Sequence, residues 1–103
     1  MTFGQVISDA RKKANLSQKE LAARVKKEDG QPISPQYLND IERDRRNPPS
    51  DFLIEQFAAI LNIPSEVLYF QAGELPADIK DTDADNEHVV NAFKAFRKSL
   101  KGN

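Results

Sequence analysis

The stretch "ISPQYLNDIERDRRNPPS", residues 33–50, decides the fold. Ser34 followed by Pro35 reads as a helix start. A serine side chain caps a free backbone amide, and proline at the first helical position gives up an N–H that has no partner there anyway. The helix that follows has two aliphatic anchors, Leu38 and Ile41, and carries Gln36, Asn39, Asp40 and Arg43 on its other side. So short a helix buries one narrow stripe and displays the rest. It ends near Asp44, and "RRNPP" after it is extended, because a residue before proline is pushed out of the helical region.

Outward from this helix the chain reads as further short helices. Residues 3–14 place Phe3, Val6, Ile7, Ala10 and Ala14 at helical spacing, and Asn15 breaks the pattern. Ser17 and Glu20 form a capping box for a second helix, predicted from Gln18 to Lys26 and buried through Leu21, Ala22 and Val25. Ala22 and Ala23 are small enough to let another helix approach. "KEDGQPI", 27–33, is a turn-rich loop with Gly30 and Pro32 as breakers. Ser50 caps a fourth helix whose core stripe is Phe52, Leu53, Phe57, Ile60 and Leu61, and Pro64 stops it. Ser65 caps a fifth, containing Val67, Leu68, Tyr69 and Phe70. Five helices in about 70 residues with short connections predict a compact all-α bundle.

Ala72-Gly73 marks a boundary, dividing the chain into 1–72 and 73–103. Beyond it "ELPADIKDTDADNEH" is acidic, with one short helix starting near Pro76 and then a loop or the acidic first turn of another helix. Residues 87–100 set Val89, Phe93, Phe96 and Leu100 at helical spacing.

Composition excludes several classes of protein. Charged residues make up 30% of the 103, yet the net charge is −1, which is not the signature of a nonspecific nucleic-acid coat. A local basic patch remains open, since residues 1–71 hold ten acidic and ten basic side chains that can segregate by face. Without cysteine there are no disulfides and no thiolate metal sites. No apolar run approaches the ~20 residues of a membrane span, and the N-terminus lacks a signal pattern. The expected setting is the cytoplasm. His88 is the single histidine, and no phosphate loop or nucleophile–base pair stands at a recognisable spacing. We expect no catalytic residues, no metal and no cofactor.

The second and third helices are the informative pair. Leu21, Val25, Leu38 and Ile41 would lock them together, leaving Gln36, Asp40 and Arg43 exposed at i, i+4 and i+7 with Asn39 beside them. Glutamine and arginine match adenine and guanine edges by paired hydrogen bonds. Gln18, opening the second helix, would offer its backbone amide and side chain to a phosphate. Arg45, Arg46 and Asn47 follow closely enough to grip the backbone. Spacing alone does not separate this reading from a merely solvated helix face.

"LSQKELAARV", 16–25, followed by "ISPQYLNDIERDRRNPPSDFLIEQFAAILNIPSEVLY", 33–69, resembles the helix-turn-helix family of phage repressors and their bacterial relatives, the Cro/CI or XRE type. The resemblance rests on Ser17-Gln18, Glu20-Leu21-Ala22, Tyr37-Leu38, Ile41-Glu42-Arg43, Asn47-Pro48 and the apolar helix running to Ile63-Pro64. It covers roughly residues 3–71. It implies a five-helix, lambda-repressor-like DNA-binding bundle with a helical C-terminal extension. It also implies a transcriptional regulator, in most such proteins a repressor, that binds double-stranded DNA as a homodimer on a palindromic operator. An antitoxin, or an adaptor with a protein partner on the extension, is the alternative. Carried over by position, Ser34, Pro35, Gln36, Asn39, Asp40 and Arg43 face bases, while Gln18, Tyr37, Arg45, Arg46 and Asn47 serve the phosphates. Glu42 is expected to pair with a cation such as Arg11 or Arg24. The stripe Val89, Phe93, Phe96 and Leu100 is too apolar to leave wet. It either folds back on the first and fifth helices or, as we expect, pairs across a twofold axis with Leu75 and Ile79 completing the interface.

The sequence departs from the family pattern in three places. Eight residues separate Val25 from Ser34, roughly six more than the usual tight turn. The lysines of this loop either touch a flanking phosphate or, the expectation here, belong to a solvated excursion. Asp44 stands where glycine is frequent. Pro35 offers a reading position only apolar contact.

Overall fold

The structure, a computed structural model, describes residues 1–102. These form seven helices: α1 (Phe3–Lys13), α2 (Gln18–Arg24), α3 (Pro35–Glu42), α4 (Asp51–Leu61), α5 (Ser65–Ala72), α6 (Ala77–Lys80) and α7 (Asn86–Lys101). The expected all-α architecture is what forms. Helix α1 packs on α3, α4 and α5, α2 packs on α3, and α4 on α5. Ile7, Leu21, Val25, Leu38, Ile54, Phe57 and Leu68 are fully buried at the centre of these five helices. Each such side chain contributes about 1.5–3 kcal/mol by leaving water.

The helix ends follow local chemistry, with some shifts from the sequence reading. Thr2 and Gln5 form a capping box at α1, as Ser17 and Glu20 do at α2. Asn15 breaks the chain by turning left-handed, at φ 58°. Helix α2 stops at Arg24 rather than Lys26. Val25 goes extended, which buries its side chain while its carbonyl accepts the amide of Ile33 at 2.9 Å. Lys26 and Pro32 then pair antiparallel, and the amide of Lys27 reaches the carbonyl of Gln31 at 2.7 Å. The loop between the two helices is therefore a small hairpin, and its residues 26–32 are exposed, as a solvated excursion would be. Its base is clasped by Gln56 of α4, whose side-chain amide both accepts from the Lys26 N–H and donates to the Lys26 carbonyl.

Helix α3 ends at Glu42, before the expected Asp44. Asp44 adopts the left-handed conformation, φ 56°, where glycine costs least. Its carboxylate offsets that cost by accepting the Gly4 amide at 2.9 Å and the Thr2 hydroxyl. Gly4 is what allows α1 to lie so close. A β-carbon there would stand 2.5 Å from the carbonyl oxygens of both Ile41 and Glu42.

In α4 the buried face is Leu53, Ile54, Phe57, Ala58 and Leu61, so Phe52 is exposed and Ile60 only half-buried, against expectation. Positions i, i+1, i+4, i+5 and i+8 make one continuous helical stripe, and Phe52 lies off its edge. Ser50 and Ser65 make no side-chain cap bond. Asn62, left-handed at φ 55°, ends α4, and Pro64 rather than Ser65 precedes α5. Tyr69 is buried and donates its hydroxyl to Glu55 at 2.6 Å; burial first, then that carboxylate, push the hydroxyl pKa well up. Asp85 caps α7 by accepting the amide of His88 at 2.8 Å, which makes the acidic stretch before it a loop. No residue between 77 and 102 is buried. The radius of gyration, 15.5 Å, exceeds the roughly 13 Å of a compact chain this long, as fits an α7 that buries none of its residues.

Candidate nucleic-acid interface

The exposed side of α3 carries two hydrogen-bonded sets of side chains. Ser34 accepts the amide of Tyr37 at 3.0 Å and fixes the start of the helix. Pro35 and Gln36 follow on the exposed first turn. Gln36 Nε2 donates to Asp40 Oδ1 at 3.1 Å. Arg45 Nη1 lies 3.8 Å from Asp40 Oδ1 and Arg46 Nε 3.6 Å from Oδ2. The Arg46 guanidinium also sits 5.0 Å over the ring of Tyr37. Exposed pairs this long contribute well under about 1 kcal/mol, so both arginines are held near α3 but remain free to turn to another anion. Asn47, just beyond them, is exposed.

The second set joins three helices. Asn39 Oδ1 accepts from Gln18 Nε2 at 3.2 Å and from Arg43 Nε at 3.3 Å. Gln18 Nε2 also donates to Glu42 Oε1 at 3.1 Å. Glu42 is gripped through both oxygens by Arg11, Nε to Oε2 at 2.7 Å and Nη2 to Oε1 at 3.1 Å. Of the two cations the sequence offered Glu42, Arg11 is the partner. Two-pronged pairing to a carboxylate gives geometric as well as electrostatic definition. The angle between α2 and α3 is thereby set by polar as well as apolar contacts.

The expected site residues stand as follows. Gln36, Asn39, Asp40 and Arg43 share one side of α3, Pro35 and Tyr37 flank it on opposite edges, Ser34 caps the helix, and Arg45, Arg46 and Asn47 follow immediately after it. Gln18 lies beside them, but its side chain is not free as the sequence suggested, since Asn39 and Glu42 hold it. Its backbone amide, in the first turn of α2, has no acceptor within its own helix. Sequence reasoning missed the Gln18–Asn39 link and the Arg46–Tyr37 stack, for which spacing carries no signal. Val89, Phe93, Phe96 and Leu100 lie on α7, 42–59% exposed, and the Phe96 ring approaches Phe70 of α5 at 6.5 Å between centroids. Among the described residues no group of three or more acidic or histidine side chains is placed to hold a metal, and no helix is long and apolar enough to cross a membrane.

An acceptor-only carboxylate, two amides that donate and accept, and several guanidinium groups stand together on one short helix and its exit, and these are the group types that can pair with base edges and phosphates. This is the class of helix-turn-helix DNA-binding units. A helix-turn-helix family model matches residues 7–68. The crystal structure of SinR, the master regulator for biofilm formation, in complex with DNA is similar at 31% identity; the match covers 65% of this chain and 97% of that one, with a TM-score of 0.55. The SinR protein/SinI protein complex is similar at 27% identity over 97% of this chain and 92% of that one, also with a TM-score of 0.55. No curated protein sequence matches. The chain belongs to the Cro/CI, or XRE, type of the helix-turn-helix family and is a DNA-binding transcriptional regulator.

Proposed function

We propose that the protein is a sequence-specific repressor that binds a palindromic operator in the cytoplasm as a homodimer. Residues 1–72 are the DNA-binding domain and 73–103 the dimerisation element. Pro35, Gln36, Asn39, Asp40 and Arg43 face the bases, with Ser34 at the groove edge. The Gln18 amide, Tyr37, Arg45, Arg46 and Asn47 hold phosphates. The observation that carries this reading is the hydrogen-bonded polar face of α3, where Gln36 is oriented by Asp40 and Asn39 by Gln18. Such ordering reduces the entropy lost on binding. One unit reaches only a few base pairs, so two are needed, with half-sites about one helical turn apart. The exposed Val89, Phe93, Phe96 and Leu100 stripe supports α7 as the joint.

Selection from a randomised duplex pool tests this. We expect an enriched inverted repeat with half-sites about 10 base pairs apart. Phe96→Ala should weaken both dimer and operator binding, because a symmetric joint loses the ring from both partners. Enrichment of a single half-site, or none, would sink the palindrome.

A second reading is a regulator held by another protein, as an antitoxin or adaptor, through residues 73–103. It is favoured by the likeness, over nearly the whole chain, to a regulator solved with a protein partner. A small protein that copurifies stoichiometrically and releases DNA would select it.

A further inference from the structure

Charge is segregated along the second half of the chain. Residues 51–85 hold eight acidic side chains against Lys80 alone, whereas residues 86–101 hold Lys94, Arg97, Lys98 and Lys101 against Glu87 alone. The acidic half lines a surface. Asp51, Glu55, Glu66 and Asp78 border a cleft of about 860 Å³ between α4, α5 and α6 that also contains Phe52 and Ile79. It runs into a groove of about 540 Å³ in which Phe70, Leu75 and Ile79 meet Phe93 and Phe96 of α7. Phe52, Phe70, Leu75 and Ile79 are each more than 40% exposed. Neither set is neutralised by an ion pair within the described residues, although Glu55 accepts the Tyr69 hydroxyl. Among the described residues no ion pair involves the four α7 cations or the four cleft carboxylates.

Helix α7 has the complementary form. Val89, Phe93, Phe96 and Leu100 make an apolar stripe, and Lys94, Arg97, Lys98 and Lys101, at i, i+3, i+4 and i+7, make a basic flank beside it. Its 16 residues span about 24 Å.

We infer that α7 of a second copy docks along this groove, its apolar stripe against Phe52, Phe70, Leu75 and Ile79 and its basic flank against Asp51, Glu55, Glu66 and Asp78. The inference rests on the homodimer reading and adds where each helix goes. An amphipathic helix in an apolar groove is a standard recognition mode, and charge fixes its direction and register. Twofold symmetry forms the contact twice. The dimer is therefore salt-sensitive, tightening as ionic strength falls and the Debye length grows.

Charge reversal with mixing decides the matter, read by sedimentation equilibrium of the full chain. Glu66→Lys with Asp78→Lys, and separately Lys94→Glu with Arg97→Glu, should each raise the dimer dissociation constant about a hundredfold. Mixing the two variants should restore association, because the heterodimer has opposite charges at both of its contacts. Circular dichroism checks that each is folded. If the cleft reversal is unstable, Glu66→Gln with Asp78→Asn should give a smaller rise in the same direction. Two reversed variants that dimerise like the wild type, or weakened variants that mixing does not rescue, overturn the inference while leaving the dimer intact. A wild type that sediments as a monomer at every concentration removes the homodimer reading itself.

Discussion

Arg11 on α1 and Glu42 at the end of α3 form a two-pronged ion pair, 2.7 Å at its shorter contact, with only 12% and 4% of their side chains exposed. Arg11 also donates to the Leu16 carbonyl at 2.8 Å, so one guanidinium ties α1, the approach to α2 and α3 together. Truncating it strands a buried carboxylate with Gln18 as its remaining donor. Arg11→Ala should therefore lower stability to urea by about 3–5 kcal/mol. Arg11→Met combined with Glu42→Leu should cost much less, because no charge is left buried. Equal losses in the two variants would mean that packing, not the stranded charge, sets the cost.

Gly4→Ala should be destabilising although alanine is the better helix former. The new methyl would meet the carbonyl oxygens of Ile41 and Glu42 at 2.5 Å. Those atoms are backbone and yield only if α1 and α3 move apart. A cost of about 1–3 kcal/mol in thermal or urea unfolding is expected. An unchanged or raised Tm would show that the two helices separate freely.

Much of this arrangement was legible in the sequence because it is periodic or local. The Ser17–Glu20 box, Ser34-Pro35 and the alternation of apolar residues place α1 to α5 within a few residues. What failed was what depends on contacts distant in sequence. Phe52 looked like core, but the stripe runs through Ile54 and Ala58, a choice made by where α4 meets α1 and α5. Asp44 holds a left-handed turn because Thr2 and Gly4, some 40 residues earlier, need its carboxylate. The residue types of the polar face of α3 were readable. Its internal bonds, Gln18 to Asn39 and Arg46 over Tyr37, exist only once α2 and the exit from α3 are in place.

The hairpin between α2 and α3 hangs on Gln56, through two bonds to the Lys26 backbone. Gln56→Ala should speed amide exchange at Lys26, Lys27 and Ile33 while costing only about 1–2 kcal/mol globally. Its lysines sit beside Glu28 and Asp29, and Lys26 Nζ is bonded to the Ala23 carbonyl at 2.8 Å. Alanine at Lys26 and Lys27 should thus leave the salt dependence of DNA binding nearly unchanged. A slope lower by nearly two for each half-site, about 0.9 for each phosphate contact, would make the hairpin part of the interface.

The α2 cap should respond to acid. Glu20 accepts the Ser17 amide at 3.0 Å, and this bond, followed by that to the Ser17 side chain, holds its carboxyl below the usual range. A depressed pKa means that the folded state favours the charged form. The contribution is present above the ordinary glutamate value of about 4.3 and fades as pH falls through the lower folded value. The Ser17 amide proton should titrate with a midpoint below that ordinary value. In Glu20→Gln the amide bond persists and the titration disappears. A midpoint at or above the ordinary value would mean that the box is open in solution.

Gln36 and Arg46 lie on either side of Asp40 and should fail in opposite ways. In the proposed reading Gln36 offers its amide to a base edge; Asp40 holds its Nε2 at 3.1 Å. Gln36→Ala should cost about 1–3 kcal/mol on the preferred operator and flatten preference at one position of each half-site. Arg46 is a phosphate ligand in this reading, carried on Tyr37 and only loosely held by Asp40. Arg46→Ala should weaken every sequence alike and lower the salt slope by about 0.9 for each half-site. Arg46→Lys should keep most of that slope, since the charge remains, but lose affinity because an ammonium lacks the planar stack on Tyr37. Competition binding against a randomised operator library, repeated at several salt concentrations, separates the two effects. If Gln36→Ala left sequence preference intact, α3 would be lying along the backbone rather than reading bases. If Arg46→Ala altered preference at one position, the arginine would belong in the groove.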